Sequence, residues 1–268
     1  AAVKEKGRVI LNVDNEYLAS LVKKIGHKRC VTFGKDKDAD FWASQIKTGV
    51  EGTEFILHHD HKRYEVRIGV LGQYQIYVAL PAIICGLMME MPVEHVIAAI
   101  ARFSSPPGRM TVIEGIKEST ILDSSYNSSP AALKAALGLL REVGEGHRKI
   151  AVIGNMNELG PYSKELHEEI GKMVPECADM LLTVGSDAAL VASSAQAAGM
   201  ELKNIFKFKG AMEAAEFFKD HVKKGDLILV KGSQNNVRLE RFVKEMMAKP
   251  EMAKELLVRQ ERAWEGKE

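Results

Sequence analysis

Residues 119–154 read STILDSSYNSSPAALKAALGLLREVGEGHRKIAVIG, and this stretch decides the fold. Ser119–Asp123 is a short apolar run, Pro130–Val143 reads as a helix, and Lys149–Gly154 is a second apolar run closed by glycine. Two short strands joined by a helix need a crossover connection, which makes them parallel. The alternation continues outward. Strands are predicted at Thr111–Ile116, Met180–Gly185, Asn204–Phe208 and Asp226–Lys231, with helices at Ser163–Met173, Asp187–Ala198, Ala211–Lys223 and Arg238–Ala248. Repeated strand–helix units imply an α/β domain with a doubly wound, parallel sheet.

Upstream, Ser104-Ser105-Pro106-Pro107-Gly108 cannot continue a helix, so a domain boundary is expected there. Before it lie strand-like runs at Arg8–Asp14 and Arg29–Gly34, with a helix at Glu16–Ile25 between them. Thr53–His59 and Arg63–Val70 flank a polar turn and predict a β-hairpin, and two helices follow near Gln75–Met89 and Val93–Arg102. The charged tail from Pro250 reads as a docked terminal helix or a frayed end rather than a functional element.

Composition narrows the function. The 268 residues carry 37 basic and 36 acidic side chains, a formal net charge of +1, and 46% hydrophobic residues. That balance lacks the basic excess of a non-specific nucleic-acid or acidic-membrane binder. The longest apolar run, Ile76 to Met89, contains a proline and falls short of the ~20 residues that span a bilayer. Cys30, Cys85 and Cys177 are odd in number and far apart, which predicts buried thiols in a reducing, cytoplasmic compartment. The chain opens Ala1-Ala2 without a methionine and enters a strand-like run almost at once.

In an open parallel sheet, ligands bind outside the carboxyl ends of the strands. In ILDSSYNSSP, helix capping accounts for Ser128 and Ser129, with Pro130 at the first helical position. Asp123, Tyr126 and Asn127 come too early to cap and suit a ribose or an adenine edge. The next strand end carries Asn155, Asn157 and Glu158, partly explained by turn chemistry, and Gly185-Ser186-Asp187 is adequately explained as a turn and cap. Lys231-Gly232-Ser233 ends a strand where a cation and free backbone N–H groups suit a phosphate or carboxylate, although a solvated lysine is the plainer account. Arg109, just past the boundary, is either a surface arginine or a fork for phosphate. In His58-His59-Asp60-His61, His59 and His61 share a strand face, but the run lies at a hairpin tip with no further ligands indicated, so no metal site is expected. There is no GxxxxGK[ST] loop, no GxGxxG opening a helix, no nucleophile elbow and no zinc motif.

Taken together, RVILNVDN (8–15), LGQYQIYVALPAI (71–83), PPGRM (106–110), LDSSYNSSPAALKAAL (122–137), VIGNMNELGPYSKELHEEIG (152–171) and LVKGSQNNVRLERFV (229–243) resemble the Mur ligase family. The closest likeness is to its UDP-N-acetylmuramoyl-tripeptide–D-alanyl-D-alanine ligase type. The resemblance implies that residues 1–104 are the later part of a central ATPase domain and 105–268 a C-terminal Rossmann-like domain. It implies ATP and Mg²⁺, activation of a carboxylate as an acyl phosphate, and D-alanyl-D-alanine as the incoming amine in peptidoglycan precursor synthesis. It further implies a cytoplasmic monomer without nucleic-acid or membrane partners. By the same likeness, Arg109 and Lys231 act near the phosphates, and Asp123, Tyr126 and Asn127 with Arg109 meet the nucleotide. Asn155, Glu158, His167 and Ser233 fall on the substrate side.

The chain departs from the family pattern at several places. The phosphate loop, the metal-binding glutamate and the modified lysine would lie before residue 1, so the chain alone is expected not to turn over. Where GxHNxxN is usual, Gly72 is followed by Gln73, Tyr74, Gln75, Ile76, Tyr77 and Val78; Ser124 stands in place of an acid, Asn155 in GDM, and Gln234 in KGSR. These departures support a second reading, a ligase-derived binding or scaffolding protein that no longer catalyses.

Overall fold

A computed structural model describes residues 3–4, 7–26, 29–234 and 237–264. The chain divides into two compact units, residues 1–104 and 105–268.

The first unit contains β1 (Val9–Asn12), α1 (Glu16–Ile25), β2 (Cys30–Gly34), β3 (Phe41–Gly49), β4 (Gly52–His59), β5 (Lys62–Ile68), α2 (Ile76–Met88) and α3 (Val93–Ala101). Its sheet runs β1-β2-β3-β4-β5; the first three strands are parallel and the last three antiparallel. Asn15 caps α1 by accepting the Leu18 N–H, and α1 is short enough to return the chain as a parallel neighbour. Asp60 and His61 both sit at positive φ between β4 and β5, the two-residue turn that suits the twist of a hairpin. Phe55, Leu57, Val66 and Ile68 from this hairpin bury against Ile76, Leu80, Ile83 and Ile84 of α2.

β3 is absent from the sequence-based expectation. Gln45 takes positive φ and the register shifts between Ser44 and Lys47, so a bulge interrupts the alternation that marks a strand. The hairpin tip also corrects one expectation: His61 lies in the turn and does not share a strand face with His59. His58 stacks on Trp42 and His59 on Phe41, with ring centroids 3.6 and 3.7 Å apart. Among the described residues, no group of three His, Cys, Asp or Glu side chains is placed to hold a metal ion.

The second unit contains β6 (Thr111–Gly115), β7 (Ser119–Ser124), α4 (Pro130–Val143), β8 (Lys149–Gly154), α5 (Ser163–Cys177), β9 (Met180–Val184) and α6 (Ala188–Ala197). It continues through β10 (Ile205–Phe208), α7 (Ala211–His221), β11 (Leu227–Lys231), α8 (Leu239–Met246) and the short α9 (Ala253–Leu256). The sheet order is β10-β9-β8-β11-β7-β6, parallel except for β6, which pairs antiparallel with β7. Only Ile116–Glu118 separate β6 from β7, too few for a crossover, so the expected parallel sheet gains an antiparallel edge. α4, α5 and α6 pack together on one face, and α7 and α8 on the other. Such double coverage explains the strands that are apolar throughout: β9 and β11 are buried along their whole length. Ser129 caps α4 and Pro130 opens it, as its sequence predicts.

Within the described residues the tail docks, as one of the two expectations had it. Leu257 buries in the core shared with α7 and α8, and Arg259 buries beyond it. No helix among the described residues is long and apolar enough to cross a membrane.

Candidate functional site

β7, β8 and β11 are neighbours whose carboxyl ends finish level, with Lys231 opposite both Ser124 and Ile153. Three loops leave them, through residues 125–129, 155–162 and 232–234. Because successive strand side chains alternate, Ser124 and Lys231 share the face covered by α4, while Asp123 shares that of Ile121, Val230 and α8.

Lys231 is 4% exposed. Its Nζ donates to Ser124 Oγ at 3.1 Å and to the Asn127 carbonyl at 3.0 Å, and it makes no ion pair with a described carboxylate. Burial presses the ammonium down to about 8; Arg109 adds to the effect and Asp123 opposes it. At neutral pH the group is still protonated, a buried cation held by neutral acceptors. Asp123 is fully buried, and its Oδ1 accepts from the Ser125 N–H at 3.0 Å. Burial lifts this carboxyl to about 6, Ser125 and Arg259 pull it back, and Glu240 pushes it further up. Asp123 Oδ2, Ser125 Oγ and Ser128 Oγ are buried without a well-formed hydrogen bond, and the Ser125 side chain lies close enough to Asp123 to pull its carboxyl down. Buried polar groups are ordinarily satisfied, so this loop end holds capacity for a ligand group or ordered water.

Ser233 ties the three loops together. Its N–H donates to the Asn155 carbonyl at 2.8 Å, and its hydroxyl donates to the Ser128 carbonyl at 3.3 Å while accepting the Asn157 N–H at 2.9 Å. The Asn155 side chain accepts from the Ala188 N–H at 2.9 Å, so it, rather than Asp187, caps α6. Gly185 is needed beneath it: at φ +104, an added Cβ would stand 2.5 Å from Asn155 Oδ1. His167 is fully buried, Nε2 accepting the Met156 N–H at 3.0 Å and Nδ1 donating to the Ser163 carbonyl at 2.7 Å. Its ring nitrogens are thus used to shape the 155–162 loop. Glu158 projects from that loop, exposed and at positive φ.

Asn127 is exposed; its Oδ1 accepts the Ser128 N–H, and its carbonyl is what meets Lys231. Tyr126 is 38% exposed, and the Arg109 guanidinium stacks 4.3 Å from its ring centre. The structure therefore brings Arg109, Asp123, Tyr126, Asn127 and Lys231 around one loop. Asn155, His167 and Ser233 serve the adjoining loops through backbone contacts.

Sequence reasoning missed two groups. One is Arg259 with Glu240 and Arg238, all buried behind the 125–129 loop. The other is the strand-end cluster of the first unit, where Asp14 Oδ2 accepts from the Lys35 N–H and the Tyr77 hydroxyl, each at 2.8 Å. Burial, together with the hydrogen bond and charge of Asp14, pushes the Tyr77 hydroxyl up to about 12. The signal for that cluster was available, because Asp14 and Tyr77 lie within quoted segments 8–15 and 71–83.

The comparisons agree on one family. The Mur ligase middle domain matches residues 1–86, and the Mur ligase glutamate ligase domain matches residues 108–234, together most of the chain. This chain belongs to the Mur ligase family. Among its relatives is the UDP-N-acetylmuramoyl-tripeptide–D-alanyl-D-alanine ligase of Bacillus subtilis, 26% identical over 220 residues, 82% of this chain and 47% of that protein. MurF from Thermotoga maritima, solved in complex with ADP, is 25% identical with a TM-score of 0.71, covering 94% of this chain and 54% of that one. MurF from Acinetobacter baumannii shares the fold at a TM-score of 0.76 and 21% identity, covering 90% of this chain and 52% of the other. This Mur ligase chain thus spans about half the length of the curated relatives it matches.

Proposed function

We propose that these residues form part of an ATP-dependent ligase that joins D-alanyl-D-alanine to UDP-N-acetylmuramoyl-tripeptide in the cytoplasm, acting as a monomer in peptidoglycan precursor synthesis. On this proposal residues 1–104 are the later part of a central ATPase domain and 105–268 a C-terminal domain. The carrying observation is the buried ammonium of Lys231, which makes no ion pair with a described carboxylate, at the same strand ends as the buried carboxyl of Asp123 on the other face of the sheet, in a Mur ligase chain. A cation kept dry without a counter-ion is costly unless an anion joins it, and a nucleotide offers both a phosphate for Lys231 and hydroxyls for Asp123. The ADP complex of the Thermotoga maritima relative supports the same ligand class.

The chemistry assigns each residue a task. Phosphoryl transfer from ATP to the tripeptide carboxylate makes an acyl phosphate; the dipeptide amine then attacks the acyl carbon and phosphate leaves. Arg109, exposed on the Tyr126 ring, and Lys231, buried, stabilise negative charge on the phosphoryl oxygens, and the buried cation counts most. Asp123, Tyr126 and Asn127 hold the nucleoside. Glu158 faces the incoming substrate, while Asn155, His167 and Ser233 hold the loops that form its side of the site. Mg²⁺ would neutralise the phosphates when bound. The described residues supply no cluster of three ligands for it, and no step is assigned to it here.

The alternative is a Mur-ligase-like binding or scaffolding protein, favoured by Ser124 on Lys231 where the family pattern has an acid. Assaying ADP release from the gene product that carries this sequence separates the two. Release that requires both UDP-N-acetylmuramoyl-tripeptide and D-alanyl-D-alanine is expected. No release, or release indifferent to the dipeptide, overturns the ligase proposal.

A further inference from the structure

The tail residue Arg259 meets the nucleotide-facing loop from behind, and both terminal nitrogens of its guanidinium are engaged. One end, Nη2, donates to the Tyr126 carbonyl at 2.5 Å. Nη1 reaches the Ser125 carbonyl at 3.4 Å and the Glu240 carboxylate at 3.2 Å. Its Cζ lies 5.6 Å from the ring centres of both Tyr126 and Trp264. Arg259 is 8% exposed and Glu240 1%, and Glu240 also receives Nε of the buried Arg238.

This arrangement is expensive. Arg259 and Arg238 both hold left-handed backbone, at φ +59 and +49, a region side-chain-bearing residues rarely adopt. Two cations also share a single carboxylate in the dry interior. Strained, charged interiors persist where the surroundings over-determine them, and they cluster at functional sites. The neighbouring chain is interlocked to match. The Tyr126 N–H donates to the Gly108 carbonyl at 3.1 Å, and a Cβ at Gly108 would meet Val258 and Tyr126 at 3.0–3.1 Å. Arg109 follows directly and lies on the outer face of the Tyr126 ring.

The geometry points to Arg259 as a positioning residue for the nucleotide site: it clamps the Ser125 and Tyr126 carbonyls so that Tyr126 can carry Arg109 and Asp123 keeps its aim. This inference rests on the nucleotide site proposed above. A planar fork is required, because one ammonium cannot serve two carbonyls and a carboxylate in the directions that Nη1 and Nη2 cover. Arg259 touches no substrate; it acts through the loop. Glu240 belongs to the same device, since without it two buried arginines would repel one another.

The test compares Arg259→Lys with Arg109→Ala and Asp123→Asn in the gene product that carries this chain, reading the KM for ATP, the KM for the dipeptide, and Tm. Arg259→Lys keeps the charge and loses the fork; the KM for ATP is expected to rise roughly tenfold, the scale of one charge-assisted hydrogen bond, with the dipeptide KM unchanged. Trp264→Ala keeps the side-chain hydrogen bonds of Arg259 and removes the ring that lies near both Arg259 and Arg238, so it serves if Arg259→Lys fails to fold. Its expected rise is severalfold, again in ATP alone. If Arg109→Ala and Asp123→Asn weaken ATP while the Arg259 and Trp264 variants do not, or if both KM values rise together, the positioning role is overturned and the nucleotide site stands. If Arg109→Ala and Asp123→Asn leave ATP unaffected, the nucleotide site itself fails.

Discussion

In the first unit, the polar groups at the strand ends satisfy one another. Asp14 takes the Lys35 N–H and the Tyr77 hydroxyl, and the Lys35 ammonium lies 5.9 Å above the Tyr77 ring. In the second unit, the equivalent place holds Lys231 with no ion pair to a described carboxylate and Asp123 with one oxygen that has no hydrogen bond among the described residues. The first arrangement is finished as it stands. The second lacks a partner of opposite and complementary chemistry. Both occupy the place where open sheets bind ligands, so location does not separate them; burial and partners do, since Asp14 and Lys35 are exposed and mutually satisfied while Asp123 and Lys231 are buried.

If that contrast is sound, substitutions in the two clusters have opposite signatures. Lys231→Ala has the largest effect expected, a loss of roughly 100-fold or more in kcat/KM, because a buried cation is removed from the phosphoryl side. Unchanged turnover would break the comparison at once. Asp123→Asn comes next, with ATP affinity falling roughly tenfold while the second unit gains on the order of 1–3 kcal/mol at pH 7. The sign follows from burial. A folded-state carboxyl raised to about 6 stabilises the fold below its ordinary value of 3.8 and loses that contribution as pH rises through 6. Denaturant melts at pH 4 and pH 7 therefore converge on the acid side for Asp123→Asn and wild type, and diverge at neutral pH. The smallest effect is Tyr77→Phe, which removes one half-exposed hydrogen bond and costs about 1 kcal/mol or less of first-unit stability, with no gain at any pH. A clear gain there would mean that the first cluster is strained as well.

How much was legible depends on how local the signal is. The strand–helix alternation after residue 119, the hairpin turn at Asp60-His61 and the Ser129-Pro130 cap all rest on contacts within a few residues, and the sequence carries them openly. The bulged β3 was not legible, because Gln45 breaks the period of two. At the site, Asp123, Tyr126 and Lys231 stood out as polar residues at strand ends. That Asn155 caps a helix 33 positions away, or that His167 is spent on the Met156 N–H, depends on tertiary placement. Arg259 was least legible of all. It is one charged residue in a charged tail, its partners Ser125 and Tyr126 lie more than 130 positions upstream, and no periodicity announces it.

The central claim is that the second cluster is left incomplete for an anionic ligand at the expense of stability. Lys231→Met tests it most directly, with stability read in these 268 residues in a Trp42→Phe background, where Trp264 is the remaining tryptophan, and ATP binding read in the gene product that carries this sequence. Lysine depressed to about 8 weakens the fold below that pH, and the penalty lifts as pH rises from 8 toward 10.5. Replacing it with an apolar side chain of similar length should stabilise the second unit at pH 7 by roughly 1–3 kcal/mol, abolish the wild-type gain between pH 8 and 10, and eliminate ATP binding. A variant that is less stable at pH 7 and binds ATP as well as wild type would contradict the account.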